Sequence, residues 1–385
     1  MKNKNQIINI ALYILLAVFL RYVMVDIMAR GSLLLEIIAI GVIFVVGIGF
    51  VFRGTANIIE ETTEVLKDRT GLAGGFLQSF GTAFPDMIIG VTAAILSLSV
   101  RESDLARSIN LAIIAAAATF GSNIYNIVHA VWCLYRQNLS NRLSKTILMF
   151  PPLKIGGKLT PLDQHSAKPS KREMDAAIDI LSVLTLLTAV VAVFMVIFGQ
   201  VKSLGGVIEG DVYELTRPVG ILLFLLCVGT LYYFRKDERP QSLEKEIIEE
   251  EKYYAKQKTI RIWLDLVLSG IAILFAAESM VRAMEVFAHL THLPFVATGI
   301  LAGVIGCFGE MLVVHNFSVN PKGRIGDAIV GVAMDNIVTT LGASIVAVMG
   351  GIFLGGNSLI VIFMIILAGN TVLIQQISRL KNAIK

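Results

Sequence analysis

The sequence predicts an all-α polytopic membrane protein with about ten transmembrane helices. Three observations lead there. Of the 385 residues, 55% are hydrophobic, only 16% are charged, and the mean hydropathy is +0.74; a soluble domain carries about a quarter charged residues. The apolar residues also come in runs long enough to cross about 30 Å of hydrocarbon, which takes roughly 20 residues at a rise of 1.5 Å each. Finally, the runs contain Gly and Ala but lack the every-second-residue alternation of barrel strands.

Ten such runs follow in order: 7–28, 33–53, 71–100, 105–135, 174–199, 217–234, 262–288, 293–318, 325–353 and 357–378. The first is too long for a cleaved signal core, ends in no small-residue cleavage site and is followed at once by the second, so both are expected to be permanent spans. Cys133, Cys227 and Cys307 lie far apart inside apolar runs, a pattern that indicates neither a disulfide framework nor a thiolate metal site.

Lys and Arg concentrate in alternate loops. The N-terminal stretch holds Lys2 and Lys4, the tail holds Arg379, Lys381 and Lys385, and residues 136–172 hold eight basic side chains against the single acid Asp163. With ten spans these all fall on one face, together with Lys322 and Arg324, and the positive-inside bias makes that face cytoplasmic. Both termini are therefore expected in the cytoplasm, with the cell membrane as the expected location. This explains the net charge of +4 without a nucleic-acid partner. The mixed-sign segment 235–261 reads as a solvated cytoplasmic linker. It separates a half at 33–234 from a half at 262–385, with residues 1–32 as an additional N-terminal helix.

Each half carries a related pair of motifs. The stretch 71–86 lies over 295–310, with Ala73/Ala297, Gly75/Gly299, Phe84/Phe308 and the acids Asp86/Glu310 coinciding, and Met87 and Met311 following. Downstream, Gly121-Ser-Asn-Ile-Tyr-Asn126 matches Met334-Asp-Asn-Ile-Val-Thr339, pairing Ser122/Asp335, Asn123/Asn336 and Asn126/Thr339. Loop charges make the span of Asp86 run outward and that of Glu310 inward, so the repeats are inverted. Inverted repeats are typical of secondary transporters, whose sites lie near the midplane where the copies meet.

A carboxylate inside an apolar run is costly and marks an ion path or a wet cavity. Asp86 follows Pro85 and Glu310 follows Gly309; a helix break there would free carbonyl oxygens beside each acid, and hard oxygens suit Na⁺, Ca²⁺ and Mg²⁺. Ser122 and Asn126, like Asp335 and Thr339, are four apart and share a helical face, while Gly121 and Ala115 to Ala118 allow another helix to approach closely. Gln78 is a further candidate to line the cavity. Glu36 and Glu278 could snorkel or shape an entry path, with a structural role the favoured expectation, and His129, His289, His292 and His315 show no metal spacing beyond the pair His289/His292, which suits a helix end. No paired His-Glu metal motif, Ser-His or Cys-His arrangement or phosphate loop points to an enzyme.

These residues resemble a known family. Phe80-Gly-Thr-Ala-Phe-Pro-Asp86 is similar to the Gly-Thr-Ser-x-Pro-Glu signature of the cation/calcium antiporter superfamily, which includes the sodium/calcium exchangers, and residues 121–126 match its Gly-Ser-Asn-Ile-x-Asn signature. The resemblance spans about 33–353 and implies two inverted-topology repeats of the sodium/calcium exchanger type, with four central helices clasping the ions. It implies antiport of Ca²⁺ against Na⁺ or H⁺ by alternating access, with inorganic cations and the lipid bilayer as partners and no resident cofactor. Carried over by position, the cation ligands are Thr82, Asp86, Ser122, Asn126, Glu310, Asp335 and Thr339. Three features depart from the pattern. Asp86 replaces Glu; Gly306, Cys307 and Gly309 replace Thr, Ser and Pro; and an acid stands at Asp335 instead of one turn later at Thr339. The relocated acid keeps Mg²⁺ or another divalent ion open as cargo, and the weakened second repeat keeps a transport-dead sensor or scaffold open. Only four spans follow the linker, so the first helix is expected to stand in for a missing last one.

Overall fold

The computed structural model describes residues 2–70, 74–165, 168–201, 212–233, 253–320, 325–350 and 353–384; the side chains of Gln78, Thr82, Asp86 and Glu310 lie outside this description, as does most of the expected linker. Among the described residues a helix occupies each of the ten apolar runs. Helix α1 (2–30) contains a π-helical turn at Leu20–Met24, and α2 (33–70) contains another at Gly47–Phe52. They are followed by α3 (Gly74–Val100), α4 (Leu105–Leu143), α5 (Lys171–Phe198), α6 (Arg217–Tyr233), α7 (Thr259–Thr291), α8 (Phe295–Val319), α9 (Ile325–Met349) and α10 (Gly356–Ala383). Seven of these rods contain stretches long and apolar enough to cross a membrane; α3, α6 and α8 contribute shorter apolar stretches.

Local chemistry marks the ends. Asp104 caps α4 by accepting from the Arg107 amide at 2.9 Å, and Ser170 and Glu173 close a reciprocal capping box at the start of α5, each satisfying amides that a helix leaves orphaned. Helix α4 ends on Ser144 in the left-handed conformation. Beyond it an antiparallel hairpin, β1 (Ile147–Phe150) and β2 (Ile155–Leu159), folds back against the C-terminal turns of α4. Arg136 donates to the Leu148 carbonyl, and Gln137 to the Thr160 carbonyl at 2.7 Å. On the opposite side β3 (Val212–Glu214) pairs with β4 (Phe353–Gly355).

The helices assemble around a seam between α4 and α8. A Cβ added at Gly303 would lie 2.6 Å from both the Ala118 carbonyl oxygen and the Ser122 nitrogen; one at Gly299 would lie 2.6 Å from Ala117 Cβ, and one at Gly121 would lie 3.0 Å from Ile300 Cα. Small residues at this four-residue spacing let backbones touch where lipid gives no hydrophobic drive for association. The contacts advance together along both chains, from Ile114/Gly299 through Ser122/Gly303 to His129/His315. Helices α4 and α8 are therefore parallel. Helix α3 is antiparallel to α4, since Gly90 meets Thr119 while Ser97 Oγ donates to the Ser108 carbonyl at 2.6 Å. It follows that α3 and α8 run in opposite directions, as the loop charges require of inverted copies.

Contacts also obey the repeat. Met87 packs on Gly342 of α9, and Met311 lies against His129 of α4, its carbonyl hydrogen-bonded to the ring. Met87 and Met311 are equivalent when the first motifs are superposed, as are His129 and Gly342 when the second motifs are.

The first helix takes a position that the sequence does not suggest. The repeat counterpart of α6, which lies along α9, would lie along α4; α1 instead packs on α7 and on the π-helical part of α2. Charge explains the attachment. Arg21 Nε meets Glu278 of α7 at 2.5 Å, and Arg282 meets the same carboxylate at 3.1 Å. Two turns on, Glu285 takes a two-point contact from Arg107 of α4 at 2.6 and 2.9 Å. Glu278 thus has the structural role expected of it, and Glu36 sits in the first turn of α2, where the helix dipole favours a carboxylate.

Two stability predictions follow from these contacts. Gly303→Ala forces backbone apart and should cost about 1–3 kcal/mol, seen as a lower melting temperature in detergent, whereas Gly41→Ala, whose Cβ meets nothing within 4 Å, should not lower it. Glu278→Ala strands two arginines and should cost about 1–3 kcal/mol. Asp26→Ala, which removes an i,i+4 partner from an Arg30 that is 80% exposed, should change melting little.

Candidate cation site

The four helices α3, α4, α8 and α9 form the centre of the bundle, and they carry all seven sequence-predicted ligands. Ser122, Asn126, Asp335 and Thr339 are buried on α4 and α9. Thr82, Asp86 and Glu310 lie on helical backbone of α3 and α8, with side chains outside the described residues. Helix register nonetheless fixes their levels. On antiparallel α3 and α4, continuing the Ser97/Ser108 and Gly90/Thr119 contacts brings the turn of Asp86 beside Gly121 and Ser122. On parallel α4 and α8, residue 310 falls between the Gly303 and His315 contacts, at the level of Asn126. On α3 and α9, Met87 against Gly342 sets the turn of Asp86 next to Thr339, three residues before that glycine.

The buried hydroxyls share one arrangement. Ser122 donates to the Thr119 carbonyl at 2.9 Å, Thr339 to the Asp335 carbonyl at 2.9 Å, and Thr340 to the Asn336 carbonyl at 2.7 Å. With the proton turned back onto its own helix, each oxygen keeps its lone pairs as acceptors. A cluster of such oxygens and carboxylates is a site for hard cations.

Two asparagines outside the predicted ligand set stand out. Asn123 and Asn336 are buried, and Asn123 Oδ1 and both amide atoms of Asn336 find no hydrogen-bond partner among the described residues. Burying an amide without a partner costs about 1–3 kcal/mol, so each needs an explanation such as water or an ion. They are equivalent positions of the two second motifs, and that alignment was the available signal.

The expected helix breaks are not seen. Helix α3 runs unbroken through Pro85 and α8 through Gly309. Proline deletes only one ladder bond, and turns packed against neighbouring helices carry the helix across it. Of the histidines, His292 forms the left-handed C-cap of α7 and His289 packs edge-on to Phe295 at 5.3 Å, in keeping with a helix-end role. His129 and His315, which sequence spacing leaves apart, stack at 5.7 Å.

No protein-family model and no curated protein sequence matches the chain. Solved structures do. The structure of native YfkE is similar with a TM-score of 0.54 at 15% identity, covering 95% of this chain and 96% of that one. The H⁺/Ca²⁺ exchanger CAX is similar with a TM-score of 0.51 at 12% identity, covering 97% and 98%. A looser likeness, with a TM-score of 0.46 at 15% identity and coverage of 87% and 90%, is to the sodium-calcium exchanger NCX_Mj. At these identities the likeness shows architecture alone: this chain, an integral, multi-pass helical bundle, shares with YfkE and CAX a cation/calcium antiporter-type fold.

Proposed function

We propose that the chain is a secondary active cation antiporter, exchanging Ca²⁺ for Na⁺ or H⁺ by alternating access, and not an enzyme. The observation that carries this reading is the convergence of both motif pairs at one level of the bundle. Ser122 and Asn126 lie buried on one repeat and Asp335 and Thr339 on its inverted copy, with Asp86 and Glu310 on turns at the same level. Hydroxyls that donate to their own helix, amide oxygens and carboxylates make a hard-oxygen set of the kind Ca²⁺ takes. The exchanger CAX is named for H⁺ and Ca²⁺, which supports the same ion class. Thr82 completes the ligand set proposed, and the amide oxygens of Asn123 and Asn336 add two donors.

Charge supplies the cycle. Acids in a dry, empty site favour their protonated forms, while a bound cation favours ionisation; the clasp therefore changes access at lowest cost when a divalent ion or its counter-ions neutralise it. The basic loops support a cytoplasmic placement of both termini, and the cell membrane is the location proposed. One observation favours a second reading for cargo: the second-repeat acid stands at Asp335 instead of one turn later, which leaves Mg²⁺ or another divalent ion open as cargo.

In liposomes with imposed Na⁺ or H⁺ gradients, wild type is expected to take up radiolabelled Ca²⁺. Glu310→Gln and Asp335→Asn each remove a charged ligand worth about 1.5–3 kcal/mol, so apparent Ca²⁺ affinity should fall about tenfold to a hundredfold. Gradient-driven uptake equal to wild type in both variants would remove these acids from the mechanism. Uptake blocked by Mg²⁺ more strongly than by Ca²⁺ itself would favour the second cargo.

A further inference from the structure

Apart from the hard-oxygen clasp, the structure holds a second cluster of metal-ligating side chains. His129 and Cys133 are four residues apart on α4, so they share a face, and His129 Nε2 lies 3.6 Å from Cys133 Sγ. His315 of α8 stacks on His129 with ring centroids 5.7 Å apart and planes 22° apart. One ligand atom from each of the three lies within 4.8 Å of the others.

We propose that His129, Cys133 and His315 form a binding site for a thiophilic divalent metal ion of the Zn²⁺ class, joining the first repeat to the second. Metal–nitrogen bonds of about 2.0–2.1 Å and a metal–sulfur bond of about 2.3 Å at tetrahedral angles put neighbouring ligand atoms roughly 3.3–3.6 Å apart. The His129–Cys133 pair already has that separation, and the cluster closes when the His315 ring swings in by about 1 Å. One thiolate and two imidazoles leave a fourth position open, and this donor set selects Zn²⁺ or Cu ions over Ca²⁺ or Mg²⁺. On binding, a metal–sulfur bond replaces the S–H bond and the proton leaves to solvent.

The surroundings support a built site. The His129 ring is hydrogen-bonded to the Met311 carbonyl, the kind of outer contact that orients a ligating imidazole. Ser318 lies beside the Cys133 sulfur. Phe150 of the hairpin stacks on His315 at 6.0 Å and on Trp132 at 5.9 Å, and Gly156, at φ +79°, packs against Phe150 and His315. Aromatic rings thus wall the cluster, and both imidazoles are half-buried.

The repeat supplies an internal control. The positions equivalent to His129, Cys133 and His315 in the other copy are Gly342, Val346 and Val91. Helix packing at this point of the fold is achieved there with apolar side chains, so packing does not demand the histidines or the thiol. Once occupied, the site would staple α4 to α8 one helical turn from Asn126.

Cobalt(II) absorption tests this on the full chain in detergent, reduced and stripped of metal. Wild type should bind one Co²⁺ per chain with a near-ultraviolet thiolate-to-cobalt band that Zn²⁺ abolishes and excess Ca²⁺ leaves in place. Cys133→Ser should lose the band, and His129→Gln and His315→Gln should weaken binding at least about tenfold. The Cys227→Ser/Cys307→Ser double variant, in which Cys133 is the sole cysteine, should keep the band and guards against misfolding of Cys133→Ser. Absence of the band in wild type, its survival in Cys133→Ser, or its loss in the double variant would overturn the proposal. None of these readouts requires Ca²⁺ transport, so the cluster and the clasp can fail separately.

Discussion

Backbone-to-backbone contact along α4 and α8 is the constraint on which the rest of the bundle depends. Hydrocarbon surrounds both the separated and the associated helices, so apolar burial contributes little to bringing them together, and close packing must do so. Gly121, Gly299 and Gly303 interlock with Ala117, Ala118 and Ile300 so tightly that even a methyl group at Gly303 has no room. That contact sets the direction and the register of α8 against α4. Register in turn sets Glu310 level with Asn126 and brings His315 onto His129. A seam without side chains thereby decides which polar groups of the two repeats meet.

Polar groups inside such a bundle must be satisfied or used. The hydroxyls of Ser122, Thr339 and Thr340 place their protons on carbonyls of their own helices, which meets the donor requirement and leaves acceptor oxygens in the clasp. Asn123 and Asn336 are handled differently, with buried amide atoms that find no partner among the described residues, at equivalent positions of both copies. Two acids farther out are paired with arginines. Glu278 and Glu285, seven residues apart on α7, tie that helix to α1 through Arg21 and to α4 through Arg107. Ionic links at the periphery and hydroxyls bonded to their own helices at the centre are two answers to the same low dielectric.

The repeats are similar in path and unlike in chemistry. Met87 and Met311 make equivalent contacts, yet their partners are Gly342 in one copy and His129 in the other. A symmetric scaffold can carry an asymmetric set of side chains because helix direction and spacing depend on the small residues of the seam and on a few levels of contact. The residues between those levels are free to differ, as Ser122 and Asp335 do, and as Cys133 and Val346 do.

Much of this was legible in the sequence. Among the described residues each apolar run holds a helix because backbone groups in lipid have no partner but their own helix, and Gly121 with the alanines before it announced a close helix contact. The inversion followed from loop charge, since basic loops resist crossing. Burial of Ser122, Asn126, Asp335 and Thr339 followed from their positions in apolar helices. What only the tertiary structure decided was relative placement. The spacing of residues along a helix says which share a face and nothing about which face of another helix they meet. Cys133 and His315 are therefore remote in sequence and neighbours in space, α1 lies on α7 instead of replacing a last helix, and α3 stays helical through Pro85 because packed neighbours hold turns that local propensity would have let break.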